Sequence, residues 1–483
     1  MRSDLHQVDM QQEASELDIA WADLAAERYV EAIRRSDGLL RLSPNDPAII
    51  ALNALGRWRR GEPVDASITA LRRALSIAPE NGQLHQHLAT MLASAGDIAG
   101  AEAEYQMALA VDPSNVEAFF AFAQHFKVRK EVGAVADMAR RYHEGTLSPV
   151  ERELCAFGLA KAYDDLGEAE RAFRYASEAN AMVQRPFALA DQRADLDSLR
   201  SMAGANVFRG IDHSGNEAGP VFVVGMSRAG TTLVESILSR HPDILAQGEM
   251  GDFAELQQVA RRRAGEDGRN LSPTALLPLL SAAWFRSAAE AVLKLTNGRA
   301  TRPFRIASDK LPDNAFRLGL IEKVFPRARI IYVRRHPLDV GWSNYLRRFT
   351  SGQGYSFRLD WIGIKTRLVA DTMELWKQAL DLPILDVHYE SLVSDPENQI
   401  RRIVAFLGLE WTDACLEPQQ TGAAVRTASL WQVRQPIGQS SVGRWKPYEQ
   451  HLAPMIEAMG GWDWINAELA DQASVANRST IRS

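Results

Sequence analysis

Four apolar residues, Val221-Phe-Val-Val224, run into a loop bounded by Gly225 and Gly230. Thr231-Thr232 and the amphipathic stretch Leu233-Val-Glu-Ser-Ile-Leu238 follow at once. Strand, glycine-bounded loop and helix in that order constrain the fold more than any other feature of the chain. Backbone N–H groups of the loop and of the first helical turn point at one spot, where the helix dipole favours negative charge. The segment therefore predicts an anion cradle between a buried strand and a helix. Strand–turn–helix is also ordinary architecture, so the loop's own side chains have to say what it would hold.

The spacing G-x4-G-T-T is that of a phosphate-binding P-loop, with Thr231 where nucleotide triphosphatases carry lysine. That lysine neutralises β- and γ-phosphates, and the Ser/Thr after it holds Mg²⁺. Here the positive charge is Arg228, inside the turn. The loop thus suits a single phosphoryl-like group with a charged leaving position better than a metal-bound triphosphate.

Two halves of the chain follow different patterns. Residues 14–190 are Ala- and Leu-rich, with apolar positions at helical spacing. Pro44, Pro79 and Pro113 lie 35 and 34 residues apart, and Ala89, Gly96, Ala101, Tyr105 and Ala108 fall where paired helices need small residues and one aromatic filler. This half resembles the tetratricopeptide repeat, a unit of 34 residues; a further copy is expected at Leu154–Gly167. Residues 191–218 are turn-rich towards their end and read as a linker. From 219 to 470, short β-branched runs (Val221–Val224, Ile330–Val333, Ile384–Val387) alternate with helical stretches, which predicts an α/β domain with a parallel sheet. Residues 471–483 read as a loose tail.

A net charge of −6 over 483 residues gives no electrostatic case for nucleic acid, which needs a concentrated basic face. No run of about 18 apolar residues suggests a membrane span. Cys155 and Cys415 are the two cysteines, too few for a disulfide framework or a Cys-rich metal site. A reducing, cytoplasmic setting and no metal are the expectations.

The loop Gly225-Met-Ser-Arg228-Ala-Gly-Thr-Thr-Leu, then Ser239-Arg-His-Pro242 and Gly248-Glu249, resembles the start of the sulfotransferase domain. The motif pattern is most similar to the tyrosylprotein and bacterial repeat-linked branch, and the resemblance covers roughly residues 219–460. It implies 3′-phosphoadenosine 5′-phosphosulfate as donor and adenosine 3′,5′-bisphosphate as product. By the same resemblance, Ser227, Arg228, Ala229, Gly230, Thr231 and Thr232 would hold the 5′-phosphosulfate. Many members have proline where this chain has Ser227. Arg335 at a strand end and Ser343 eight residues on would bind the 3′-phosphate, with Arg334 off by one. Tyr389 would contact adenine, and Arg444, in Gly443-Arg-Trp-Lys446, would close over the 3′-phosphate, with Lys446 the alternative.

For the chemistry, the resemblance implies Glu249 as general base, with Arg228, Lys310 and Ser429 stabilising charge on the departing oxygen. Lys310 stands where small-molecule cytosolic members carry a catalytic histidine and the tyrosylprotein branch a lysine. The acceptor is a hydroxyl, with a peptide or protein tyrosine brought by the helical repeats as the first expectation and a glycan or small-molecule hydroxyl as the alternative. A P-loop kinase and a non-catalytic repeat scaffold are the rival classes. The repeats would bind substrate or a partner, or support self-association as a homodimer.

Overall fold

The computed structural model describes residues 15–129, 133–265, 271–350, 352–420 and 437–480. It divides into two compact units, Met1–Ala162 and Tyr163–Ser483.

The first unit is helical. Its elements are α1 (Glu16–Ala25), α2 (Tyr29–Leu42), α3 (Pro47–Arg60), α4 (Val64–Ile77), α5 (Gly82–Ala95), α6 (Ile98–Val111), α7 (Val116–His125), α8 (Ala134–Glu144) and most of α9 (Pro149–Leu166). The period has a local cause. Pro44, Pro79 and Pro113 each stand two residues after a helix end and cannot extend it. Two residues further on, Asp46, Asn81 and Asn115 cap the next helix, their side-chain oxygens accepting from its first N–H groups at 2.8–3.3 Å. Gly96 ends α5 at φ 98°, a conformation that glycine adopts without strain. Ala89, Ala101 and Ala108 are fully buried and Tyr105 nearly so, as small-residue helix contacts with one aromatic filler require.

The second unit begins inside α9, ahead of the expected boundary near residue 190. The cause is packing: on α10 (Ala169–Met182), Asn180 donates to the Tyr345 carbonyl at 2.9 Å, and Phe173 stacks on His451 with ring centroids 4.2 Å apart. Much of the expected linker is likewise a helix, α11 (Leu189–Gly204), which buries Leu196 and Leu199. The turn-rich character read there belongs to the residues after it.

The α/β part follows as β1 (Val221–Gly225), α12 (Thr231–Ser239), β2 (Ile244–Ala246), α13 (Asp252–Arg263), α14 (Ala282–Arg299), β3 (Ile306–Asp309), α15 (Leu318–Val324), β4 (Arg329–Arg334), α16 (Pro337–Tyr345), α17 (Leu359–Ala379), β5 (Ile384–His388), α18 (Tyr389–Ser394), α19 (Pro396–Phe406), α20 (Ala453–Met459) and α21 (Gly461–Thr480). Most of the expected tail, 471–483, thus falls within α21. The five strands are parallel, in the order β2-β3-β1-β4-β5. β1 is central and buried at every position, which explains its unbroken apolar run. The short β2 and β3 escaped the sequence reading because Ile-Leu-Ala and Ile-Ala-Ser-Asp carry too little β-branched signal. No helix among the described residues is long and apolar enough to cross a membrane.

Candidate active site

All five strands end on the same edge of the sheet, and each delivers a residue singled out from the sequence. β1 leads to Arg228, β2 to Glu249, β3 to Lys310, β4 to Arg335 and β5 to Tyr389. In a parallel sheet whose strand order reverses beside β1, this carboxyl edge is where open α/β folds form a crevice.

The loop after β1 is held by its neighbours. Gly225 has φ +148°, and a Cβ there would lie 2.5 Å from the Val333 carbonyl oxygen on β4, so the position admits no side chain. Gly230, at φ +110°, caps α12, and a Cβ there would meet the Tyr389 ring at 2.6 Å. Between them Arg228 takes φ +72°, a left-handed conformation uncommon outside glycine and typical of loops that turn successive N–H groups inward. The corner after β4 fixes the rest: Arg335 donates to the Arg228 carbonyl at 2.9 Å, Asn344 to the Ser227 carbonyl at 2.9 Å, and Arg228 Nε to Ser343 Oγ at 3.0 Å.

Positive charge accumulates here. Burial, then Arg347, Arg335 and Arg444, push the Arg228 guanidinium well below its ordinary pKa. Burial likewise lowers Arg347 to about 10, with Arg444 adding to the effect against Asp165. Arg335 lies over the Tyr389 ring at 4.7 Å, and its buried Nε has no hydrogen-bond partner among the described residues. Guanidinium groups gathered and dehydrated in this way suit an anion with several oxygens.

On the other side of β1, Lys310 Nζ donates to Glu249 Oε1 at 2.6 Å. The Lys310 side chain is 1% exposed and that of Glu249 48%, so the ammonium faces the protein and the carboxylate reaches solvent. Behind the pair lie two carboxyls that the sequence reading missed. Burial raises Glu235 above the ordinary carboxyl range, and its bonds from Gly248 N–H and Ser308 Oγ oppose the rise. Burial also pushes Asp309 up to about 7, against the bonds it accepts from Met250 N–H and Asn314.

Between pH 4 and 7 folded Asp309 therefore keeps a proton that the unfolded chain has lost, and its contribution to stability falls as pH rises through that window. Asp309→Asn is expected to raise Tm at pH 8, by at most a few kcal/mol of unfolding free energy at about 1.4 kcal/mol per pKa unit. The gain should shrink towards pH 4, which thermal melts across that range would check.

The remaining expected residues are placed as follows. Arg334 turns away, ion-paired with Glu468 at 2.7 Å, so Arg335 is the strand-end arginine that meets the loop. Arg444 pairs with Asp164, and lies 3.6 Å from Asp165. Its loop is held by buried Asp339, which accepts from Gly443 N–H at 2.7 Å and Trp445 N–H at 3.1 Å. Lys446 is exposed. Ser429 lies outside the described residues. Arg347 was missed, although its place four residues after Ser343 was a usable signal. Nothing local marks Asp164, which also accepts from Trp342 Nε1 at 3.0 Å and Tyr448 OH at 2.8 Å.

Elsewhere in the second unit lies a cavity of about 400 Å³, whose lining includes neither Glu249 nor Lys310. Gln257 and Arg261 on α13, Asp313 and Arg317 after Lys310, and Lys365 on α17 line it. Lys365, 3% exposed, is ion-paired with Asp313 at 3.2 Å.

The fold and its carboxyl-edge site define a P-loop-like α/β domain with an arginine-rich loop at the carboxyl edge of a parallel sheet. Residues 220–413 match the model of the Sulfotransferase family, so this segment carries a domain of that family. An uncharacterized protein of Aquifex aeolicus is 29% identical over 398 residues, covering 80% of this chain and 52% of its own length. The chain thus spans about half the length of that relative. Protein-tyrosine sulfotransferase 1 of Danio rerio is 26% identical over 258 residues, covering 50% of this chain and 71% of the relative. Among solved structures, the sulfotransferase domain of the Synechococcus PCC 7002 olefin synthase covers 49% of this chain and 90% of its own, with 21% identity and a TM-score of 0.36.

Proposed function

We propose that the chain transfers a sulfuryl group from 3′-phosphoadenosine 5′-phosphosulfate to an acceptor hydroxyl, with a peptide or protein tyrosine as the acceptor. The observation that carries this reading is the Lys310–Glu249 pair at 2.6 Å, on the same sheet edge as the Arg228 loop. A carboxylate half open to solvent can take a proton from an arriving hydroxyl, and the buried ammonium beside it can support charge on the departing oxygen.

In the reaction, the acceptor oxygen attacks sulfur and its proton passes to Glu249. The bond between sulfur and the bridging oxygen breaks, and adenosine 3′,5′-bisphosphate leaves with the electron pair. Arg228 and Lys310, with Ser429 in the role that the family implies, stabilise the charge gathering on that oxygen. The loop Ser227–Thr232 holds the 5′-phosphosulfate; Arg335, Ser343 and Arg444 take the 3′-phosphate, for which Arg444 exchanges Asp164 for the ligand; Tyr389 borders the adenine. The tyrosine acceptor draws support from the relatives named protein-tyrosine sulfotransferase. The helical unit then serves as the peptide-binding module.

A glycan or small-molecule hydroxyl is the second reading of the acceptor, since fold and donor site do not fix it. Incubating the purified chain with ³⁵S-labelled donor and, in parallel, tyrosine peptides, glycans and a lysate of the source cell separates the two. Label on tyrosine-containing polypeptides supports the first reading, and label confined to a small molecule or glycan supports the second. No transfer to any acceptor, with no thermal stabilisation by adenosine 3′,5′-bisphosphate, would overturn both.

A further inference from the structure

The backbone that carries Glu249 is pinned on both sides by bonds that do not use its own side chain. Gly248 N–H donates to Glu235 Oε1 at 2.9 Å, the Lys310 N–H donates to the Gly248 carbonyl at 2.8 Å, and Met250 N–H donates to Asp309 Oδ1 at 3.2 Å. The Glu235 carboxylate accepts a second bond, from Ser308 Oγ at 2.9–3.0 Å. Ser308 is two residues before Lys310 and fully buried, and Glu235 is 8% exposed. One carboxylate therefore joins the end of β2, which carries Glu249, to the end of β3, which carries Lys310.

Glu235 belongs to α12, four residues after Thr231 and so on the helix whose first turn forms the anion cradle. A buried carboxylate is costly unless its oxygens are bonded. Here the bonds it accepts are what tie the two acceptor-side segments to the donor-side helix.

We propose that Glu235 is a positioning residue: through Gly248 and Ser308 it sets where the Glu249–Lys310 pair stands relative to the Arg228 loop. Asp309 supports the same turn from its other side through Met250. The kinetic consequence rests on the sulfuryl-transfer reading above, whereas the geometric consequence stands without it.

Three variants of the full chain test this. Glu235→Gln keeps an oxygen for Gly248 N–H and an amide for Ser308 Oγ. It is expected to hold turnover within about threefold of the parent and to leave affinity for adenosine 3′,5′-bisphosphate unchanged by calorimetry. Glu235→Leu removes both bonds and is expected to lower turnover by about 10–100-fold, the scale of a small misplacement of reacting groups, again with the bisphosphate affinity retained. Ser308→Ala removes one bond and should fall between, which keeps the test open if Glu235→Leu does not fold. A crystal structure of Glu235→Leu or Ser308→Ala should show the Lys310–Glu249 separation lengthened from the parent's 2.6 Å.

Turnover equal to the parent in Glu235→Leu and Ser308→Ala would overturn the proposal. So would Glu235→Gln as damaging as Glu235→Leu, since charge and not position would then be at stake, or bisphosphate affinity lost in step with turnover. If the parent chain transfers no sulfuryl group, the sulfuryl-transfer reading fails, and the crystallographic separation alone decides the role of Glu235.

Discussion

Lys310→Met is expected to lower sulfuryl transfer by about 10²–10³-fold, the usual loss when one preorganised donor is removed from a developing oxyanion. Methionine keeps the length of the side chain in a site that leaves lysine 1% exposed, so the effect reports the lost ammonium and not a cavity. Stability should change little. The variant removes a buried cation, while the Glu249 partner that it leaves is 48% exposed and can hydrate. The informative measurement is the split between turnover and affinity for adenosine 3′,5′-bisphosphate. Lys310 donates to Glu249 and, among the described residues, makes no hydrogen bond to the loop around Arg228, so turnover should fall with the bisphosphate affinity largely kept. Near-normal turnover would remove Lys310 from the chemistry.

Arg228→Met should lower turnover by a similar 10²–10³-fold, with stability moving the other way. Burial and the charges of Arg347, Arg335 and Arg444 all disfavour the Arg228 guanidinium in the ligand-free chain. The charged form is thus worse off folded than unfolded at every pH where arginine is protonated, and a neutral side chain of similar length relieves that cost. Tm without ligand is expected to rise by a few degrees, the trade-off common at sites built for binding. The extra stability conferred by adenosine 3′,5′-bisphosphate should shrink, because the guanidinium that would meet the anion has gone. A variant that melts lower without ligand and is stabilised by the bisphosphate as well as the parent would contradict this account of the site.

How far the sequence reaches depends on the distance over which each signal acts. The helical period was readable because proline and the Asx cap two residues later act within one turn: Pro79 ends one helix and Asn81 starts the next. β1 and β4 were readable because buried parallel strands need continuous apolar runs, and β5, a half-buried edge strand, because Ile384, Leu385 and Val387 stand close together. β2 and β3 were not, since three or four residues hold too little pattern. The unit boundary inside α9 escaped for another reason. α10 has the composition of a repeat helix, and what assigns it elsewhere is Asn180 bonding the Tyr345 carbonyl, 165 residues away.

The same division runs through the Gly225–Thr232 loop and its partners. By itself the sequence determined a phosphate-type loop lacking its lysine, with Arg228 in the turn, and proposed Glu249, Lys310, Arg335 and Ser343 as companions by resemblance. Arg335, which the resemblance already favoured over Arg334, meets the loop. Only the tertiary structure decided that Lys310 and Glu249 touch and that Arg444 rests on Asp164. It alone brought Glu235 and Asp309 in behind the pair. The strand–loop–helix pattern is written in residues next to one another in the chain, whereas charge pairing and burial arise only when a parallel sheet brings five distant strand ends to one edge.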